Sequence, residues 1–183
     1  MTSCIDAPAG VSPETYRAVF RGYATGVSVV TADAGEGPIG FTASSLASVS
    51  LDPPLVSFAL STASGCWPVI AAAESVVVNL LGADQHDIAA RFATRGVDRF
   101  AGPTRWTRLP TGEPLLVDAP SHLRGVIEHR YPAGDHHLVV ARITHATYGD
   151  HTPLVYHDGR YTTVHEDGSE RGAGLRGSGR QHH

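Results

Sequence analysis

Lysine is absent from this chain: all 14 basic residues are arginines, set against 18 acidic residues for a formal net charge of −4. That balance excludes the concentrated positive face on which nucleic-acid binding depends. It also makes every side-chain cation, histidine aside, a planar fork that can hold a phosphate through two hydrogen bonds. Cysteine is scarce too. Cys4 and Cys66 cannot make a disulfide framework or a four-thiolate metal site. No run of about 18 apolar residues occurs, so no membrane helix is expected. The opening Met1-Thr2-Ser3-Cys4-Ile5-Asp6 lacks the basic start and apolar stretch of a signal peptide, and the chain reads as cytoplasmic.

Familiar catalytic signatures are missing as well. No Gly-x-Ser-x-Gly elbow occurs, and Cys66 reads as a small buried group rather than a thiolate nucleophile. Gly35, Gly37 and Gly40 have the spacing of a dinucleotide fingerprint, but they lie between two predicted strands rather than opening a helix. They are read as a turn. Of the eleven histidines, His136 and His137 are adjacent and His182 and His183 are terminal, and none has a Cys or His at ligand spacing. No structural metal is expected.

What is present is a single ordinary domain's worth of chain: 183 residues, 42% hydrophobic and 17% charged. Ser12-Pro13-Glu14 is a helix start, with Ser12 as N-cap and Pro13 in the first position. The helix carries Tyr16, Val19, Phe20 and Tyr23 at helical spacing and is expected to stop near Gly26. Short β-branched runs follow at 27–31, 39–49, 55–60, 76–80, 123–130, 137–148, 154–157 and 161–164. Turn signals divide them, among them Asp52-Pro53-Pro54 and Asp158-Gly159. Further helices are predicted over 66–73 and 84–93. This pattern predicts a mainly β fold with a few helices, a barrel rather than a βαβ layer. Residues 1–11 read as an irregular leader, 12–164 as the domain and 165–183 as a flexible Gly/Arg-rich tail.

The most informative stretch is Gly40-Phe41-Thr42-Ala43-Ser44-Ser45, followed by Ser50-Leu51-Asp52-Pro53-Pro54-Leu55. Small side chains let a flat ligand approach the main chain, where amides, carbonyls and hydroxyls can satisfy a polar ring edge. Read for local composition alone, it is a Ser-rich strand and turn. Taken with Gly134-Asp135-His136 and Pro153-Leu154-Val155-Tyr156-His157, it resembles the flavin reductase-like family over residues 16–164. That family comprises short NAD(P)H:flavin oxidoreductases that supply two-component monooxygenases.

The resemblance implies an FMN-binding split β-barrel of the flavin reductase type, forming a homodimer with flavin near the subunit interface. Thr42, Ala43, Ser44 and Ser45 match the ring-binding motif. Ser57, Phe58 and Ala59 would line the ring's other edge, although Phe58 alone reads as core. Ser64 matches the phosphate-loop serine, but Gly65 stands where arginine or lysine is common. Main-chain amides, or an arginine elsewhere among Arg91, Arg95 and Arg99, would have to serve. Arg99-Phe100 matches a basic-aromatic pair that closes the site. Gly134, Asp135 and His136 match the nicotinamide motif, with His136 facing the nucleotide and His137 the opposite side. Tyr156, with Tyr161 near it, would cover a ring face.

The implied reaction is hydride transfer from NADH to FAD or FMN, with Thr42 or a neighbouring amide at flavin N5 and His136 at the nicotinamide. NADPH is possible, but no arginine cluster for a 2′-phosphate is evident. Reduced flavin would then leave for a separate monooxygenase. The alternatives are a carrier or sensor that keeps its flavin, or an enzyme whose resident flavin reduces another small molecule. A pure carrier has no use for Gly134-Asp135-His136.

Overall fold

The computed structural model describes residues 10–164. Most of the leader, the tail from 165 onward, Cys4, His182 and His183 lie outside the described residues. Helix α1 (Pro13–Arg21) begins as its sequence dictates, with the Ser12 hydroxyl accepting from the Thr15 amide at 3.2 Å. It ends at Gly22, short of the expected Gly26. The chain is drawn away there because Thr25 and Gly26 pair as a strand, β1 (Thr25–Gly26), with residues 156 and 155.

The strands then follow in order: β2 (Ser28–Ala32), β3 (Ile39–Ala43), β4 (Ala47–Leu51) and β5 (Pro54–Ser61). Helix α2 (Trp67–Ala72), β6 (Ser75–Leu80) and α3 (His86–Ala93) come next. A two-stranded ribbon, β7 (Trp106–Arg108) with β8 (Pro114–Leu116), precedes the long hairpin of β9 (Ser121–Ala133) and β10 (His136–Thr147). The hairpin β11 (Leu154–His157) and β12 (Arg160–Thr163) closes the described chain. The predicted run 39–49 is two strands, interrupted at Ser44–Leu46. The ribbon went unread because three-residue strands give a period of two nothing to repeat over.

The main sheet has seven antiparallel strands in the order β3-β2-β6-β9-β10-β5-β4. β3 lies at one edge and β5 next to the other, yet the rings of Phe41 and Phe58 are only 6.0 Å apart. The sheet therefore curls on itself into a barrel. Ser45 fastens the curl: its hydroxyl accepts from the Ala59 amide at 2.9 Å and donates to the Ala59 carbonyl at 3.3 Å. Inside lie Val30, Phe41, Phe58, Val76, Val78 and Val139, closed over by Ile70 of α2. A second core outside the barrel joins Val29, Leu81, Leu116 and Leu154 to Ala89 and Phe92 of α3. β2 is buried along its whole length because Val30 serves the first core and Val29 the second.

Polar groups fix the elements that flank the site. Arg130 on β9 donates to the Ile70 carbonyl at 3.0 Å and to the Ala73 carbonyl, gripping the C-terminal end of the short α2. Glu113 is almost fully buried and accepts from the Ser75 and Thr111 hydroxyls and from Arg124 at 2.7 Å. Burial pushes its carboxyl up, but those three donors outweigh it and hold it down at about 2.

Candidate active site

Where β3, the end of β5 and the C-terminal end of α3 converge, a groove of ≈ 300 Å³ opens. Thr42 and Phe41 of β3 form one wall, Ala59, Leu60 and Ser61 of β5 another, and Phe92 and Ala93 of α3 a third. The loop residues Ser64 and Gly65, together with Arg95, Arg99 and His136, complete it. A second hollow of ≈ 230 Å³ shares Thr42 and Ala93 and adds Val27, Ser44, Tyr156 and Tyr161. The two adjoin through the shared residues and together reach the range of small-molecule sites.

Thr42 is half-buried, and its hydroxyl donates to the Ala89 carbonyl of α3 at 2.6 Å. That proton is committed to the helix, so toward a ligand the Thr42 hydroxyl can only accept. Ser44 and Ser45 lie between β3 and β4, outside both strand ladders. Ala43 differs from the expectation. Its side chain is buried in the barrel core, so only its backbone is left for a ligand.

The next strand divides similarly. Ala59 lines the groove, but Ser57 and Phe58 do not. Phe58 is fully buried against Phe41, which corrects its assignment to the ring's edge. Ser57 is on the same face as Ala59, but it sits deeper in the sheet and is buried. Ser61, two residues beyond Ala59, does line the groove and pairs across the ladder with His136. Sequence reasoning missed it, although extending the period of two from Ala59 would have reached it.

Arg99 and Phe100 part company. Arg99 lines the groove, with its guanidinium bound to the Thr94 carbonyl at 2.7 Å, the Gly40 carbonyl at 3.1 Å and the Cys66 sulfur at 3.4 Å. Phe100 points elsewhere, edge-on between Phe92 at 5.4 Å and Trp106 at 5.2 Å, beside a separate hollow. The pair does not close the site together, because adjacent residues leave the chain in different directions. Ser64 lines the groove while its hydroxyl accepts from the Cys66 amide at 3.3 Å.

Gly134 and Asp135 form the turn of the β9–β10 hairpin, with Gly134 at φ 63°, and His136 opens β10. The Asp135 carbonyl accepts from the Thr62 amide at 3.0 Å and the Thr62 hydroxyl at 3.1 Å, pinning the turn to the loop before α2. The Asp135 carboxylate meets Nδ1 of His136 at 2.7 Å, and that bond and charge hold its carboxyl below the usual range. A carboxylate only accepts, so Nδ1 carries a proton in this contact. Gly134 and Asp135 do not line the groove; His136 alone of the three does. His137 faces away as predicted and stacks on Trp67 with ring centroids 3.7 Å apart.

Tyr156 is partly exposed beside Thr42 and Ser44, with Tyr161 5.5 Å from it. Burial raises the Tyr161 hydroxyl above its ordinary value. The groove residues include no carboxylate and no activated nucleophile. Among the described residues, no three His, Cys, Asp or Glu side chains gather as metal ligands. What remains is a shallow surface of backbone, hydroxyls, aromatic edges and cations, suited to holding flat, anionic molecules against each other.

Comparison with known proteins agrees with this geometry. The NADH:FMN oxidoreductase of Rhodococcus qingshengii is 46% identical over 157 residues, covering 83% of this chain and 82% of that protein. The reductase subunit HsaB of a flavin-dependent monooxygenase from Rhodococcus jostii is 33% identical over 162 residues, 88% of this chain and 83% of its own. The solved structure of the NADH:FAD oxidoreductase SgcE6 of Streptomyces globisporus, in complex with NAD and FAD fragments, superposes with a TM-score of 0.81 at 32% identity. That match covers 88% of this chain and 99% of the other. Residues 20–165 match the family described as flavin reductase like domain, and with the barrel and the Thr42–His136 groove on one molecule, the chain belongs to that family.

Proposed function

We propose that this protein is an NADH:flavin oxidoreductase acting on FMN or FAD, and that reduced flavin leaves it for a separate monooxygenase. The observation that carries this reading is the presence of Thr42 and His136 in one groove. One residue of the flavin motif and one of the nicotinamide motif therefore face the same space. A bound flavin would supply the acceptor for the nicotinamide's hydride.

The chain's own part is to hold and align. Backbone at 42–45 and the faces of Ala59 and Ser61 receive a ring, with Tyr156 beside Ser44 as an apolar flank. His136, oriented by Asp135, offers Nε2 to the amide of the nicotinamide. No side-chain base is required, because the acceleration comes from alignment of two bound partners. NADH is preferred over NADPH because no arginine cluster for a 2′-phosphate is evident. The working unit is residues 12–164, and an NADH-dependent reaction belongs in the cytoplasm, where that nucleotide is held.

A homodimer is part of this reading. Helix α1 buries none of its residues, and Tyr16, Val19, Phe20 and Tyr23 are all more than half exposed along one stripe. A second copy covering that stripe would lie beside Tyr156, which borders both the α1 hollow and the flavin side. The deciding experiment is anaerobic NADH oxidation at about 340 nm with added FMN or FAD, for wild type and His136→Ala. Turnover that saturates with free flavin, with a loss in the variant mainly through the KM for NADH, is the expected result. Flavin binding without turnover would overturn the reductase and leave a carrier.

A further inference from the structure

The groove has two arginines, Arg95 and Arg99, beside His136 and no carboxylate on its walls, so it suits an anion, but the three are not equally free to bind one. Arg99 is committed to the Thr94 and Gly40 carbonyls. His136 gives Nδ1 to Asp135. Arg95 is exposed, and among the described residues its guanidinium makes no hydrogen bond or ion pair. Its backbone is nonetheless firmly placed. Thr94 just before it is held by Arg99, and Arg91 donates to the Asp98 and Gly102 carbonyls at 2.9 and 3.3 Å, bracing the loop beyond.

Gly65, another lining residue of the groove, has no side chain and so brings no charge to it. A Cβ built at Gly65 meets no atom within 4 Å. The loop amides on either side are already engaged: Ser64 with the Ser61 carbonyl at 3.0 Å and Cys66 with the Ser64 hydroxyl at 3.3 Å. The loop thus offers space and little positive charge. The free charge lies on Arg95.

We propose that Arg95 is the phosphate-binding residue of this chain, taking the flavin's ribityl phosphate in place of a cation at position 65. This rests on the flavin reading of the groove. A guanidinium meets a phosphate ester through paired, charge-assisted hydrogen bonds, and an arginine with no competing partner gives up none to do so. Being exposed, the contact is screened, and its contribution falls as salt rises. Arg95 is therefore what distinguishes FMN from riboflavin, which has the same ring and chain but no phosphate.

The test is equilibrium binding followed by flavin fluorescence, using FMN and riboflavin with the full-length protein, and it needs no turnover. In Arg95→Gln the ratio of Kd for FMN to Kd for riboflavin rises about tenfold, the loss of one charge-assisted contact. Adding Gly65→Arg to that variant brings the ratio back toward wild type, since the space at 65 accepts the side chain. An unchanged ratio overturns the assignment, as does equal weakening of both flavins. Weakening confined to NADH also overturns it and assigns Arg95 to the nucleotide's diphosphate. If wild type binds neither flavin, the flavin reading itself fails; if it binds both with no change of ratio in the variant, Arg95 alone does.

Discussion

The carboxylate of Asp135 holds Nδ1 of His136 at 2.7 Å, on a turn whose backbone is pinned to Thr62. Asp135 itself is almost fully solvent-exposed and does not line the groove. Its contact selects Nδ1 as a ring nitrogen that carries a proton. Asp135→Asn, which can donate as well as accept, relaxes that choice. The expected outcome is a rise of a few-fold in the KM for NADH, with the flavin Kd little altered. Steady-state kinetics beside flavin fluorescence titration checks it, and equal loss of both affinities would mean that Asp135 merely shapes the loop.

Thr42 matches a ring-binding position, yet its hydroxyl proton goes to the Ala89 carbonyl at 2.6 Å. The bond ties the groove's β3 wall to α3. Thr42→Ser keeps the donor, whereas Thr42→Val removes the tie between β3 and α3 and costs about 1 kcal/mol. Thermal unfolding of the two variants side by side separates them. If valine is as stable as serine, the tie contributes nothing.

Part of the groove's lining was legible from the chain: of the residues named from sequence, Thr42, Ala59, Ser64, Arg99 and His136 line it. The Thr42–Ser45 row and Gly134-Asp135-His136 are local, and a local motif survives without knowledge of packing. The β strands were also legible, because Val76–Val78 and Val29–Val30 are apolar runs too short for helices. Side-chain direction was not. Phe58 and Ala59 are neighbours in sequence, but the pleat sends one into the core and the other to the groove. Arg99 and Phe100 part for a different reason: Arg99 is captured by the Thr94 and Gly40 carbonyls, partners that only the folded loop supplies. The commitment of the Thr42 hydroxyl was hidden in the same way, because Ala89 is 47 residues distant.

Glu113 contributes to the loss of stability in acid. Its carboxyl lies near 2 in the native protein against an ordinary value of 4.5, and its side chain is 3% exposed. A depressed native value means that the stabilisation is complete above about pH 4.5 and is lost as pH falls toward about 2. The shift corresponds to roughly 3 kcal/mol. Glu113→Gln should therefore lower stability by an amount of that order at pH 7 while flattening the decline between pH 5 and pH 2. Urea unfolding across that range is the check, and parallel profiles for the two proteins would remove Glu113 from the account.

Gly40, next to the groove residues Phe41 and Thr42 on β3, has no room for a side chain. Its Cβ would lie 2.6 Å from a ring carbon of Phe92 and 3.1 Å from the Thr31 methyl. The requirement is one of space, because Gly40 has no positive φ. Phe92 cannot easily yield: it is fully buried, packed edge-on against Phe100, and it also lines the groove. Gly40→Ala should cost about 1–3 kcal/mol, as overpacking does, and weaken flavin binding in step because Phe92 is pushed toward the ligand. In a Phe92→Leu background the same alanine finds room, so its cost should drop below about 1 kcal/mol. A double-mutant cycle measures that coupling directly. Additive effects would mean that β3 shifts to make the space, and that Phe92 does not hold the strand and the helix at their present separation.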